Sequence, residues 1–201
     1  MSLSITKVAT AATVSLLLLS SQPTIAGWKH IKVESNEVGK GGMTVVPLSE
    51  WNRWSKRESN RGESWTKNGF PLNRIDFFSQ IEAGESIYKE RSKKHQPLPK
   101  FQSDMLLPDV AELFKANFSI VTDATGFEVT KLEPANLGSV PGLKVSYTYL
   151  HPNDPLTRLG EARMAVYNER LYVINYTAPR LHYFDENISE ARAIMDNVIL
   201  N

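Results

Sequence analysis

The sequence predicts an α+β fold: an antiparallel sheet with a C-terminal three-stranded meander, flanked by a central helix and a C-terminal helix. Three observations carry that expectation. Period-two alternation recurs in runs between residues 143 and 178, joined by short polar connections. Apolar stripes at helical spacing lie on either side, at residues 106–118 and 188–199. The chain has 201 residues, 41% of them hydrophobic and 22% charged. That is enough for one core, and it excludes a disordered or fibrous protein.

Residues 1–26 read as a secretory signal peptide. Lys7 supplies the positive start, residues 8–19 an apolar stretch ending in four leucines, and Thr24, Ile25 and Ala26 a small-residue exit before Gly27. The stretch falls short of the roughly 20 apolar residues that span a bilayer, so cleavage is expected rather than anchoring. Loss of Lys7 brings the 23 basic residues level with the 22 acidic ones. A neutral chain has no global field to steer it to nucleic acid, and no nucleic-acid partner is expected. There is no cysteine. This excludes disulfides, thiol nucleophiles, Fe–S clusters and a lipoprotein anchor, and it suits a periplasmic or secreted protein that folds without oxidation.

Residues 27–42 read as a flexible leader, because 35–42 is polar and glycine-rich after a short extended piece; residues 43–201 read as a single α+β domain. Residues 43–47 are β-branched and apolar, and 51–55 and 63–66 are short strands around a polar turn. Residues 73–81 alternate, with Ile75, Phe77, Ser79 and Ile81 on one side and Asp76, Phe78 and Gln80 on the other. Residues 84–101 carry a basic cluster broken by Pro97 and Pro99, which predicts a solvent-exposed loop or hairpin. Leu106, Val110, Leu113, Phe114 and Phe118 then form a helical stripe with Pro108 and Asp109 in its first turn.

A short strand at 127–132 and a turn at Pro141 and Gly142 lead into the meander. Its first run buries Leu143, Val145, Tyr147 and Tyr149; its second buries Ala162, Met164 and Val166. After a tight turn at Asn168 and Glu169, the third places Tyr172, Ile174 and Tyr176 opposite Leu171, Val173 and Asn175. Asp185 is the expected N-cap of a last helix presenting Ile188, Ala191, Met195, Val198 and Ile199. Glycosylation-type triplets at Asn117, Asn175 and Asn187 fall in these elements and read as chance matches.

The sequence carries no H-E-x-x-H, G-x-S-x-G, P-loop or G-x-G-x-x-G pattern, and its four histidines have no metal-ligand spacing on one element. No catalytic residue, metal or cofactor is therefore assigned. Three groups are candidate binding residues. Arg180, His182, Tyr183 and Asp185 crowd the link before the last helix, where capping and packing are the competing explanation. Trp51 and Trp54 interleave with Arg53, a pattern that stacks on sugars or bases. Lys93 and Lys94 head the basic 89–100 segment, which suits an anionic lipid surface or an acidic partner.

The stretches RLGEA at 158–162 and LYVINYTAPRLHYFD at 171–185, with EWNR at 50–53, ESWT at 63–66, LPKF at 98–101 and Met105-Leu106, resemble a family of uncharacterised exported proteins of Gram-negative bacteria, some of them lipoproteins. This chain departs from the lipoprotein version by lacking the cysteine. Its element order is also similar to the PsbP/DcrB-like fold, a resemblance that implies accessory, binding or assembly roles more than catalysis. The expected function is thus an exported periplasmic binding or accessory protein of the cell envelope, monomeric, with an envelope protein or a small ligand as partner. The alternative is a small hydrolase using Asp76, Glu161, His182 and Asp185 around the 178–185 loop.

Overall fold

The computed structural model describes residues 27–57, 59–90, 96–152 and 154–201. The signal-peptide reading of 1–26 and the candidates Lys93 and Lys94 lie outside these residues. In chain order the elements are β1 (Trp28–Ile31), β2 (Asn36–Val38), β3 (Met43–Val45), β4 (Trp51–Trp54), β5 (Gly62–Thr66), β6 (Arg74–Ile81), α1 (Leu107–Thr122), β7 (Thr125–Leu137), β8 (Val140–His151), β9 (Asp154–Tyr167), β10 (Arg170–Pro179), α2 (Tyr183–Asn197) and β11 (Ile199–Leu200). Among the described residues no helix is long and apolar enough to cross a membrane.

The architecture is the expected α+β one. A central eight-stranded antiparallel sheet runs β1-β4-β5-β6-β10-β9-β8-β7, and a small sheet, β11-β3-β2, stands apart from it. Both faces of the middle strands of the central sheet are covered. On one face Val110, Leu113, Phe114 and Phe118 of α1 pack on Val145, Tyr147, Ala162, Met164 and Val173. On the other, Ile188, Ala191, Ile194 and Met195 of α2, with Val38, Met43 and Val45 of the small sheet, pack on Trp65, Ile75, Phe77, Tyr172, Ile174 and Tyr176. Two buried faces explain why β10, with nine of its ten residues buried, alternates between two sets of apolar side chains rather than between apolar and polar.

The meander forms as its periodicity predicts, extended by β7 to four strands. Asn168 and Glu169, at φ 49° and 61°, supply the two left-handed positions of a tight hairpin turn. The β7–β8 turn falls earlier than expected, at Gly138 (φ 59°) and Ser139, while Pro141 and Gly142 lie inside β8. Gly142 is there for close approach, since a Cβ would meet the Met164 carbonyl oxygen at 2.2 Å.

Other expectations are corrected. The 27–42 segment is folded as β1 and β2: β1 pairs with β4 and β2 with β3, and Ile31 and Val38 are buried in the α2-side core. In β6 the alternation breaks at Gln80 (φ 50°), a bulge that turns Ile81 to the α1 face with Phe78. Within the 84–101 segment the described residues 84–90 and 96–101 are anchored to the core: Ile87, Tyr88, Leu98 and Phe101 are buried, and Phe101 N–H donates to the Glu85 carbonyl at 2.8 Å. Leu106 is the exposed N-cap of α1, its N–H bonded to Asp109 Oδ2 at 3.2 Å. Asp185 is not the cap of α2; His182, at φ 64°, holds that position without a side-chain capping bond, and Ile199 is exposed in β11.

Candidate functional site

Strand register builds the candidate site on the α1 face. Across β6, β10, β9 and β8, one row of paired residues reads Arg74, Thr177, Gly160, Tyr147, and the row below it Asp76, Asn175, Ala162, Val145. Above them Arg158 of β9 pairs with Tyr149 of β8. These residues are two apart on each strand, so all project to the same side. Of these, Arg74, Asp76, Thr177, Tyr149 and Arg158 line, with the C-terminal turn of α1 and the loop at Phe70 and Pro71, a cleft of about 580 Å³. Phe118, Val121 and Thr122 form its helical wall, and His151, Asp154 and Asp123 stand toward its mouth.

The floor is a fixed polar array. Asp76 is buried; its Oδ1 accepts from the Ser64 hydroxyl at 2.5 Å and from Arg74 Nε at 2.7 Å, and Arg74 Nη2 donates to Ser64 Oγ at 3.0 Å. The Arg74 guanidinium lies 4.8 Å from the centre of the Phe70 ring. One strand over, the Tyr147 hydroxyl donates to Asn175 Oδ1 at 2.7 Å. Burial pushes the Tyr147 phenol well above its usual range. It also raises Tyr149, against the pull of Arg158. His151 is held below the usual imidazole range by burial and then by the Arg158 charge, so it is neutral at pH 7.

Arg158 is 5% exposed. Nη1 donates to the Pro71 carbonyl at 3.0 Å and Nη2 donates to the same oxygen, while Nε is buried without a partner. Among the described residues no carboxylate lies within ion-pair distance of it. Beside the cleft, Trp28 and Trp54 pack at 4.5 Å between ring centres with their planes tilted by 56°, and Phe70 joins them at 5.3 Å from Trp28.

The residues proposed from sequence are scattered. Trp51 is buried on the α2 face, its Nε1 donating to Glu190 Oε1 at 2.8 Å, and Arg53 pairs with Glu63 at 3.6 Å. Trp54 projects to the opposite face, into the aromatic group next to the cleft. Arg180, His182 and Asp185 are exposed, with His182 Nε2 3.6 Å from Glu186, and Tyr183 packs half-buried against the α2-side core. The four residues of the hydrolase alternative are not brought together: Asp76 lies on the α1 face, while Glu161 is clasped by Arg192 of α2 at 2.6 Å. No three His, Asp or Glu side chains among the described residues are grouped as metal ligands.

Sequence reasoning passed over Arg74, Tyr149, His151 and Arg158 as a site. The available signal was polar side chains on faces otherwise apolar: Asp76 shares its side with Phe78, and Asn175 shares its side with Leu171 and Val173.

No protein-family model and no curated protein matches the chain. Among solved structures it is similar to cyanobacterial PsbP (CyanoP) from Synechocystis sp. PCC 6803, at 12% identity and a TM-score of 0.52, over 91% of this chain and 99% of that one. Lower similarity links it to the Ran-binding protein Mog1p of Saccharomyces cerevisiae (12% identity, TM-score 0.40, 82% and 83% of the two chains). The same holds for LpqN of Mycobacterium tuberculosis, a protein involved in cell envelope biogenesis (10%, 0.36, 87% and 91%). The antiparallel sheet with its two helices is the PsbP-like fold.

Proposed function

We propose that this protein is an exported binding or accessory protein of the bacterial cell envelope, and that the cleft at the end of α1 receives its small ligand or a protruding group of its partner. The observation that carries the reading is the state of the charges in the cleft. Asp76, the buried carboxylate of its floor, has one oxygen engaged by both Ser64 and Arg74. A group so held is a fixed anion that shapes a binding surface. Aromatic walls with a few placed polar groups are the ordinary make-up of a ligand site. Export is supported by the charge and apolar pattern of residues 1–26.

Native mass spectrometry of the protein purified from a bacterial periplasm tests this. The expected result is a non-covalent adduct of defined mass, diminished in Thr122→Trp, which fills the cleft from the α1 wall, with the melting temperature unchanged. Hydrolysis of simple esters, phosphoesters or glycosides that Asp76→Asn abolishes would overturn the reading in favour of an enzyme.

A further inference from the structure

Arg158 is anomalous for a buried charge. A guanidinium does not lose its proton at any physiological pH, so burial cannot be relieved by neutralisation. Buried charges are accordingly paired. The other buried arginine of the described residues, Arg163, has Asp196, and the less buried Arg74 and Arg192 have Asp76 and Glu161. Arg158 has a neutral carbonyl oxygen, that of Pro71, which takes one hydrogen from each Nη and leaves the positive charge uncompensated. The second hydrogens of both Nη groups remain, in a residue that lines the cleft.

We propose that Arg158 is the docking point for a single oxyanion, a carboxylate or a phosphate, on a ligand whose apolar or ring-bearing body lies along Phe70 and the Trp28–Trp54 pair. This rests on the reading of the cleft as the ligand site. With the end of the guanidinium taken by the Pro71 oxygen, the unpartnered Nε–H and the free Nη–H on the same edge are the remaining parallel pair, and that fork matches the geometry of either oxyanion. The buried groups around it sum in its favour, because the charge of Asp76 is already taken by Arg74 and His151 is neutral. At the mouth the order reverses: Asp123 is exposed and Asp154 half-buried. Those two acids repel a polyanion, so the ligand carries one anionic group and not a string of phosphates. Phe70 belongs both to the cleft lining and to the aromatic shelf, and Trp28, at 36% exposure, leaves that shelf open to solvent. An oxyanion on Arg158 therefore puts the rest of the molecule against rings.

The test is titration of the protein with 3-phenylpropionate, phenyl phosphate and the neutral 3-phenylpropan-1-ol, followed by backbone amide shifts and tryptophan fluorescence. At least one acid is expected to bind about tenfold or more tighter than the alcohol, with amide shifts at Phe70, Thr122 and Tyr149. That preference is lost in Arg158→Gln and largely kept in Arg158→Lys. Should the glutamine variant fail to fold, the acid-to-alcohol ratio in the wild type and in the lysine variant decides. Equal binding of acids and alcohol in the cleft overturns the anion anchor while leaving the cleft as a ligand site. No shift at those amides with any probe removes the cleft reading, and this proposal with it. Phosphatidylglycerol vesicles run beside phenyl phosphate separate the sources: vesicle binding lost in Arg158→Gln identifies a lipid headgroup, and binding of soluble acids alone a free ligand.

Discussion

A methyl group at position 160 would land inside the Tyr147 ring, since a Cβ there lies 2.1 Å from Cζ and 2.5 Å from both Cε atoms. The glycine lets a strand-borne tyrosine fold over its neighbour and reach Asn175 on the strand beyond. Gly160→Ala is expected to cost about 1–3 kcal/mol in urea unfolding, because the ring cannot move without breaking a fully buried hydrogen bond. Tyr147→Phe tests the same contact from the other side. It leaves Asn175, whose Nδ2 already lacks a partner, with its Oδ1 unpaired as well, for about 1–3 kcal/mol. At this scale the polar positions on apolar strands were legible in sequence, but their partners were not. Arg158 depends on the carbonyl of Pro71, 87 residues earlier, and no local pattern reports so distant a contact.

Among the elements, α2 is held in place partly by a buried carboxylate, that of Glu190. Glu190 accepts from Ser49 N–H at 3.0 Å, from the Ser49 hydroxyl, from Trp51 Nε1 at 2.8 Å and from Lys67 Nζ. Burial alone would raise its pKa, but these donors outweigh it, and the carboxyl sits below its model-compound value of 4.5. A depressed carboxylate contributes stability that is complete above its unfolded pKa and lost as the pH falls through the folded one. The melting temperature should therefore decline from about pH 4.5 downward. Glu190→Gln should be less stable at pH 7 by about 2 kcal/mol, with a shallower acid slope and an altered Trp51 emission. A slope unchanged from the wild type would assign the acid sensitivity elsewhere. The apolar stripe of α2 was readable from its spacing, whereas its cap was not. Asp185 is the right residue type, yet the chain leaves β10 through a left-handed His182 and starts the helix three residues earlier. The 27–42 segment misled for a related reason: its glycines and polar residues suggest a loop, and only the distant elements of the α2-side core provide the apolar surroundings in which Val38 is buried.

Across the whole molecule, what the sequence reveals follows contact distance along the chain. The β7–β10 meander joins neighbours through short turns, so period and turn residues suffice to read it. The pairing of β6 with β10 unites the N-terminal strands with the meander, and the intervening α1 and three strands hide it. That seam makes a physical prediction, because the two cores lie on opposite faces of strands they share: Phe78 and Val173 face α1, while Phe77 and Ile174 face α2. Loss of packing on one face should then be felt on the other. With Trp28 and Trp54, which pack beside the cleft, replaced by Phe, the remaining Trp51 and Trp65 are buried in the α2-side core and make tryptophan fluorescence a reporter of that face, while Phe114 belongs wholly to the α1 side. Phe114→Ala removes a fully buried ring and should cost about 3–5 kcal/mol. If the described residues form one cooperative domain, the fluorescence midpoint in urea falls by the same amount as the far-ultraviolet circular dichroism midpoint, in one transition. A fluorescence transition that stays at its wild-type position while the circular dichroism curve splits would mean that each face unfolds by itself, with the β6–β10 seam acting as a boundary between two folding units.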